Sequence, residues 1–319
     1  MATSTAPVTL SVVVPLYNEE ANVAPLVARV TGILEALPEH PAYEIILVND
    51  GSTDGTIDRI REELRRRPHV VFVNLSRNFG HQLAATAGLD VSRGEAVVLM
   101  DGDLQDPPEL IPEFVERWRG GSDVVYAVRR SRKGESAFKL ATARAFYRVM
   151  RRLTNVSIPM DAGDFRLMSR RVVDVLKRSR ERHRFLRGMV SWAGFDQAAV
   201  EYDRDERLSG RTKYPVSKML KFAIDGITSF SDVPLRFATY LGFTVSTAAF
   251  IYAILIVFFK AFHWGTPEYA RGWASTMVAI LFLGGVQLIG IGILGEYIGR
   301  IYDEVKARPL YLISDIERS

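Results

Sequence analysis

Two carboxylates separated by one glycine, Asp101 and Asp103, follow the short apolar run Val97–Met100. A short, continuous apolar run that leads into turn-forming residues predicts a buried β-strand. In an extended chain, side chains two positions apart point the same way, about 6–7 Å apart, so both acids can face one pocket. Paired oxygen ligands with no His or Cys in the adjoining sequence favour Mg²⁺ or Mn²⁺ over zinc. The remaining ligands would then come from substrate phosphates; the alternative is an acidic turn without a ligand.

Polar and acidic residues also follow two earlier apolar runs. The first run leads into Pro15–Glu20 (PLYNEE) and the second into Asn49–Gly55 (NDGSTDG). Each segment alone is better explained by turn and helix-capping chemistry. Parallel strands place their carboxyl ends at one edge of the sheet, where open α/β sheets bind ligands. We therefore expect both segments to converge with Asp101 and Asp103 on one site.

The elements that must position these residues alternate along the first part of the chain. Alternating strands and helices with continuously apolar strands predict an α/β fold, a mostly parallel sheet with helices on both faces. The predicted strands are Leu10–Val14, Glu44–Val48, Val70–Leu75, Ala96–Met100 and Asp123–Ala127. The predicted helices are Asn22–Leu37, Thr56–Arg66, His81–Val91 and Pro108–Arg119.

Composition restricts the class of protein further. The chain has 319 residues, which suffice for one large domain or two ordinary ones. It has no cysteine, so disulfides and thiolate metal sites are excluded. A net charge of +4 without a basic, aromatic-rich stripe does not indicate a nucleic-acid partner. The first residues, MATSTAPVTL, contain no basic segment before the apolar run, so no secretory signal is expected.

Two uncharged apolar stretches, Phe237–Phe259 and Ala274–Leu294, contain 23 and 21 residues. About 20 apolar residues span a bilayer core, so both are predicted to be transmembrane helices of a hairpin. The flanks of the hairpin carry more Lys and Arg than its short loop, which predicts cytoplasmic termini and a cytoplasmic N-terminal domain. The preceding segment, 215–235, has apolar residues at helical spacing beside Lys218 and Lys221. It is interpreted as an amphipathic interfacial helix, with an ordinary packing helix as the alternative.

The predicted organisation is therefore a cytoplasmic domain over residues 1–214 and the interfacial helix over 215–235. The transmembrane hairpin follows over residues 236–299, and a cytoplasmic C-terminal tail over 300–319. This predicts a multi-pass protein of the inner (plasma) membrane, in contact with the lipid bilayer.

Five motifs of the first domain resemble those of the inverting glycosyltransferases of family two. They are VVVPLYNEE, LVNDGSTDGT, SRNFGH, MDGDLQDPP and DAGDFRLM. The two apolar spans and RLSGRTKY are similar to the polyisoprenyl-phosphate glycosyltransferases, which include dolichyl-phosphate mannose synthase and the bactoprenol glucosyltransferases. The bacterial group is the more similar, through NLSRNFG, MVAILFLGGVQL and EVKARPLYLISD. The resemblance covers nearly the whole chain and implies a GT-A type, nucleotide-sugar-binding fold.

The resemblance implies a role for each acidic strand end. Asp50 would bind the nucleobase edge, and Asp101 and Asp103 would place Mg²⁺ or Mn²⁺ on the donor diphosphate. Through that metal, Asp103 would act in catalysis. The implied nucleotide-sugar-binding residues are Pro15, Tyr17, Glu19, Asp50, Asp101 and Gly102.

The resemblance also implies a basic site for a lipid phosphate. Arg207 and Lys213 lie in RLSGRTKY and would hold the phosphate of a polyprenyl phosphate. Arg129 and Arg132, after the fifth predicted strand, would add to that grip. The alternative for these cations is a basic face that meets anionic headgroups, worth about 1 kcal/mol per residue.

Asp164, in DAGDFR, is the implied catalytic base. A phosphate monoester has a second pKa near 6, so the acceptor is largely dianionic at neutral pH and hardly needs a base. Orientation of the acceptor, or stabilisation of positive charge on the sugar, therefore stays open as the role of Asp164.

The predicted reaction is metal-dependent, inverting sugar transfer from a nucleotide sugar, with UDP-glucose as the expected donor, to polyprenyl phosphate. The glycine-bearing second span and similar enzymes suggest a homotetramer. One alternative is a processive polysaccharide synthase, but the Gln-x-x-Arg-Trp motif of that class is absent at Arg117-Trp118, where Phe114 replaces Gln. Another is a membrane scaffold that binds nucleotide sugar or lipid phosphate without turnover.

Overall fold

The computed structural model describes residues 9–38, 40–129, 162–182, 184–202, 233–261 and 273–319. They divide into two compact units. One holds the α/β elements together with residues 309–319, and the other holds two long helices. The predicted interfacial helix lies outside the described residues, apart from its last three positions, which begin the first long helix.

The α/β unit is built on a mixed, mostly parallel sheet, as predicted. Its described strands are β1 Leu10–Leu16, β2 Tyr43–Asn49, β3 Val70–Leu75, β4 Ala96–Leu99, β5 Val124–Arg129, β6 Ala162–Ser169, β7 Gln197–Tyr202 and β8 Ile313–Arg318. They are arranged in the order β7-β5-β6-β4-β1-β2-β3-β8. Strands β1 to β4 run parallel, and so do β5 and β7. Strands β6 and β8 run antiparallel to their neighbours.

Helices cover both faces of this sheet. Alternate residues of β1 point to opposite sides, and the apolar side chains on each side are buried. Val12 and Val14 belong to the core cluster that includes Val23 and Leu26 of the first helix. Val13 points the other way, and a Cβ on Gly88 of the third helix would overlap its Cγ1. The described helices of this unit are α1 Glu20–Glu35, α2 Thr56–Arg66, α3 His81–Val91, α4 Ile111–Arg119, α5 Arg170–Arg178 and α6 Leu186–Trp192. A short 3₁₀ turn, Pro108–Leu110, precedes α4.

The strand order creates a crevice at the carboxyl edge. The chain runs from β1 outward through β2 to β3 and then crosses back to place β4 on the other side of β1. This reversal is a topological switch point, where α/β sheets leave room for a ligand. The loops after β1 and β4, which carry the predicted acidic residues, therefore flank the same opening.

The C-terminal residues differ from the predicted tail, because Ile313–Arg318 form edge strand β8 beside β3. Glu317 on β8 pairs with Arg61 at 3.0 Å, and Arg318 pairs with the buried Glu44 at 3.1 Å. The segment ISDIER has too few apolar residues to be recognised as a strand by hydrophobic pattern. An edge strand needs only one strand partner, and this one covers the edge of β3.

The second unit consists of α7 Val233–Ala261 and α8 Trp273–Val305, which contact each other. Many of their large apolar side chains are exposed, among them Phe243 and Leu288. Among the described residues, the segment Val278–Val305 is long and apolar enough to cross a membrane. Two such spans were predicted. At 33 residues, α8 is about 50 Å long and continues well past the predicted span end.

Candidate active site

The loops that follow β1 and β2 are joined into one surface by side-chain hydrogen bonds. The Asn18 amide oxygen accepts a bond from the Thr53 backbone N–H at 2.8 Å. The Ser52 hydroxyl accepts one from the Asn18 N–H at 3.0 Å, and Thr56 Oγ1 accepts one from the Glu19 N–H at 2.9 Å. Tyr17 projects from this surface with 47% exposure. Two of the predicted donor-binding segments are thus brought together, while Pro15 lies buried within β1.

Asp50 is buried at the end of β2, where it holds the loop that follows β3. Its two carboxylate oxygens accept bonds from the backbone N–H groups of Phe79, at 2.7 Å, and Gly80, at 2.9 Å. Burial raises the pKa of Asp50, although these two bonds oppose the rise. The Asp50 carboxylate, which was predicted to bind a nucleobase, therefore already binds the backbone of the loop that follows β3. Contact with a base stays a prediction, and the role that the structure gives Asp50 is support of this loop.

Gly51 lets the loop that follows β3 pack closely against the end of β2. Its φ is +67°, and a Cβ at this position would overlap the backbone of Arg77 and Asn78. We expect Gly51→Ala to lower both the melting temperature and kcat, because the displaced loop leads directly into α3. The matched control is Gly121→Ala, with φ +109° and no atom within 4 Å of the added Cβ. The control carries only backbone strain, about 1–3 kcal/mol. Equal melting temperatures for the two variants would contradict the proposed clash.

The Asp-x-Asp turn lies beyond β4 and packs against the end of β1. A Cβ on Gly102 would overlap Leu16 Cδ2, so glycine is needed for this close approach. Asp103 Oδ1 accepts a bond from the Gln105 N–H at 3.1 Å, which orders the turn. Asp101 Oδ1 is buried and has no hydrogen-bond partner.

This oxygen accepts no hydrogen bond, with His81 Nε2 as its ion-pair contact at 3.3 Å, and it fits a divalent cation. Burial, followed by the charges of Asp164, Asp106 and Asp103, raises the pKa of Asp101 to about 6, against a lowering by His81. A cation would relieve this repulsion. Within the described ranges, no group of three or more His, Asp or Glu side chains is placed to hold a metal by itself. Mg²⁺ or Mn²⁺ on Asp101 and Asp103 would therefore take further ligands from a substrate.

Asp164 reaches the same edge from β6, whose antiparallel pairing sets Arg166 opposite Leu99 of β4. Gln82 donates a hydrogen bond to Asp164 Oδ2 at 3.2 Å, and Arg187 donates one to Oδ1 at 3.2 Å. Burial raises the pKa of Asp164, but the His81 hydrogen bond and the charges of Arg187 and Arg166 outweigh it and hold the pKa well below its usual range. Asp164 is therefore an ionised carboxylate held among cations.

His81, which was not predicted as a site residue, lies between the two acidic groups. Its Nε2 is 3.3 Å from Asp101 Oδ1 and 3.5 Å from Asp164 Oδ2. Burial lowers the pKa of His81, but these carboxylates and Asp50 raise it by more. Its position at the start of α3, after the loop that follows β3, was the available signal. Gln82, Arg166 and Arg187 were missed as well.

The predicted lipid-phosphate residues are described only in part. Arg129 is the last residue of β5, where its backbone pairs with Tyr202. Arg132, Arg207 and Lys213 lie outside the described residues.

The structure has three features of a glycosyltransferase with the GT-A fold. They are a mostly parallel sheet, a crevice between β1 and β4, and an acid pair beyond β4. The chain belongs to glycosyl transferase family 2, which residues 11–176 match. Residues 233–301 match the GtrB C-terminal hairpin. The family and fold class predicted from the motifs are confirmed.

Similar proteins span nearly the full chain. An uncharacterized glycosyltransferase, YkcC of Bacillus subtilis strain 168, is 50% identical over 303 residues, 95% of this chain and 92% of the relative. The prophage bactoprenol glucosyl transferase homolog of Escherichia coli K12 is 43% identical over 309 residues, 97% of this chain and 99% of the relative. Among solved structures, glucosyl-3-phosphoglycerate synthase from Mycobacterium tuberculosis has a TM-score of 0.46 at 20% identity and covers 69% of this chain and 79% of its own.

Proposed function

We propose that this enzyme transfers a sugar, with glucose from UDP-glucose as the favoured donor, to the phosphate of a polyprenyl phosphate. The observation that carries the proposal is the pairing of two different acidic groups at one crevice. An acid pair with a buried oxygen that accepts no hydrogen bond lies next to Asp164, which is held ionised by His81, Arg187 and Arg166. The names of relatives that cover nearly the whole chain, bactoprenol glucosyl transferases among them, support the lipid acceptor.

The acid pair would serve the donor diphosphate. Mg²⁺ or Mn²⁺ held by Asp101 and Asp103 would supply Lewis-acid charge neutralisation for the departing nucleoside diphosphate. Tyr17 and Glu19, on the joined loops beside the crevice, would line the nucleoside. Gly102 keeps the acidic turn tight against β1.

Asp164 would serve the reacting sugar and the acceptor. A lipid phosphate is largely dianionic at neutral pH, so it attacks without first losing a proton. A carboxylate held among Arg166, Arg187 and His81 is a weak proton acceptor. We therefore assign Asp164 the electrostatic role, orienting the acceptor and stabilising positive charge at the anomeric carbon. Arg207 and Lys213, with Arg129 and Arg132, would hold the phosphate itself.

The proposed setting is the cytoplasmic face of the inner membrane. The match to a C-terminal hairpin and the apolar helix Val278–Val305 support association with the membrane, and insertion with two passes is part of the proposal. The excess of Lys and Arg outside the hairpin supports a cytoplasmic catalytic domain. A homotetramer remains part of the proposal, and cross-linking of the purified protein in detergent would test it.

Direct displacement by the lipid phosphate inverts the anomeric centre, so an α-linked donor should give a β-linked polyprenyl-phosphate sugar. The purified full chain should be incubated with UDP-[¹³C]glucose, Mn²⁺ and a short polyprenyl phosphate. The anomeric coupling constants of the lipid product would then be measured by NMR. An α-linked product would overturn the inverting mechanism, and a polymer on the lipid would favour a processive synthase.

A further inference from the structure

Three elements that are distant in sequence meet at the side chain of Gln82, the second residue of α3. Its Nε2 donates to Asp164 Oδ2 on β6 at 3.2 Å. Its Oε1 accepts a bond from the Leu186 backbone N–H, at the start of α6, at 3.0 Å. Both ends of one amide are therefore used, one by the acidic group and the other by the helix beside it.

The same contacts determine where Arg187 lies. Arg187 follows Leu186 on α6, and its guanidinium donates to Asp164 Oδ1 at 3.2 Å. Gln82 and Arg187 thus bind the two different oxygens of one carboxylate. The contacts form a closed circuit from Gln82 to Asp164, from Asp164 to Arg187, and through the α6 backbone back to Gln82. The side chains of Arg187 and Asp164 are only 20% and 17% exposed.

The chemistry of the two contacts requires an amide at position 82. The Leu186 N–H can only donate, and an ionised Asp164 can only accept. A residue between them must therefore present an acceptor at one end and a donor at the other. Glutamine meets this requirement at this length. An ionised glutamate would present only acceptors and an added negative charge, and leucine would present neither group.

We propose that Gln82 is a positioning residue for sugar transfer, which fixes Asp164 and Arg187 relative to each other and to the reacting centre. The assignment rests on the proposed function, because it supposes that Asp164 acts on the sugar or acceptor. Gln82 acts through Asp164, so its loss should affect the chemical step more than donor binding. Displacement of a catalytic group by about 1 Å can cost on the order of 10²-fold in rate.

The test compares Gln82→Leu and Gln82→Glu with wild type in the full chain, using UDP-glucose, Mn²⁺ and polyprenyl phosphate. Gln82→Leu should lower kcat on the order of 10²-fold while the KM for UDP-glucose stays close to the wild-type value. Gln82→Glu is nearly isosteric and keeps the acceptor for Leu186, so α6 should remain in place. At a pH where the introduced carboxyl is ionised, it should still lower kcat strongly, because it sets a second carboxylate against Asp164. The control Gln197→Leu makes the same change on β7 and should keep wild-type kcat.

A second comparison separates positioning from simple packing. If Gln82 and Arg187 act on one carboxylate, the kcat effects of Gln82→Leu and Arg187→Lys should be clearly non-additive in the double variant. Additive effects, or a wild-type kcat in folded Gln82→Glu, would overturn the assignment. If Gln82→Leu does not fold, the kcat of Gln82→Glu decides the test. Failure of wild type to glycosylate the lipid phosphate would overturn the proposed function instead.

Discussion

Asp103→Asn is expected to abolish sugar transfer, with a loss on the order of 10²–10³-fold or more. Asparagine retains an oxygen that can accept the Gln105 N–H bond seen at 3.1 Å, so the turn beyond β4 should keep its shape. What the substitution removes is the negative charge that would hold a cation beside Asp101. The initial rate of lipid-linked glucose formation measures the loss.

Mn²⁺ binding, measured by electron paramagnetic resonance with UDP present, should weaken in parallel with activity. The control is Asp58→Asn, the same change at an exposed position of α2, and it should leave both rate and Mn²⁺ affinity unchanged. Wild-type Mn²⁺ affinity and turnover in Asp103→Asn would remove Asp103 from the metal site.

Asp164→Asn is expected to lower kcat on the order of 10²–10⁴-fold. The variant keeps the size of the side chain but removes the charge that lies 3.2 Å from Arg187 and 3.5 Å from His81. The neighbouring cations would then be uncompensated at the place where positive charge develops on the sugar. The melting temperature should also fall, because Arg166 is buried and loses part of its compensation.

Single-turnover rates below the melting temperature of both proteins separate the two effects. Asp174→Asn is a suitable control, because it also removes an aspartate paired with an arginine, Arg170, but in a more exposed ion pair of 3.8 Å. It should retain wild-type kcat. Near-normal turnover in Asp164→Asn would show that the ionised carboxylate has no part in the reaction.

Local pattern was sufficient to predict much of the sheet and its acidic edge. Val70–Leu75 and the helices Thr56–Arg66 and His81–Val91 have the predicted bounds, because apolar periodicity and turn residues delimit them clearly. The expected convergence of strand ends is realised in the links between Asn18 and the loop after β2. The element bounds depend on residues close together in the chain, and the convergence follows from the general rule that parallel strands place their carboxyl ends at one edge.

Contacts between distant residues could not be read in the same way. His81, Gln82 and Arg187 reach Asp164 only after β6 has paired beside β4 and α6 has packed beside α3. For Asp50, the sequence motif predicted a different partner from the one in the structure. Its motif suggested an open acceptor, whereas the fold buries it under the backbone of Phe79 and Gly80. Strand β8 escaped prediction because one-sided edge pairing needs no apolar pattern.

The most direct measurement is release of nucleoside diphosphate by the purified full chain, with Mn²⁺, from a panel of UDP- and GDP-linked sugars. Each donor should be assayed with and without polyprenyl phosphate. We expect that release requires the lipid phosphate and equals the amount of lipid-linked monosaccharide formed, with UDP-glucose as the best donor. Release that is independent of the lipid would indicate hydrolysis, and binding without release would indicate a scaffold. Either result would contradict polyprenyl-phosphate glycosyl transfer.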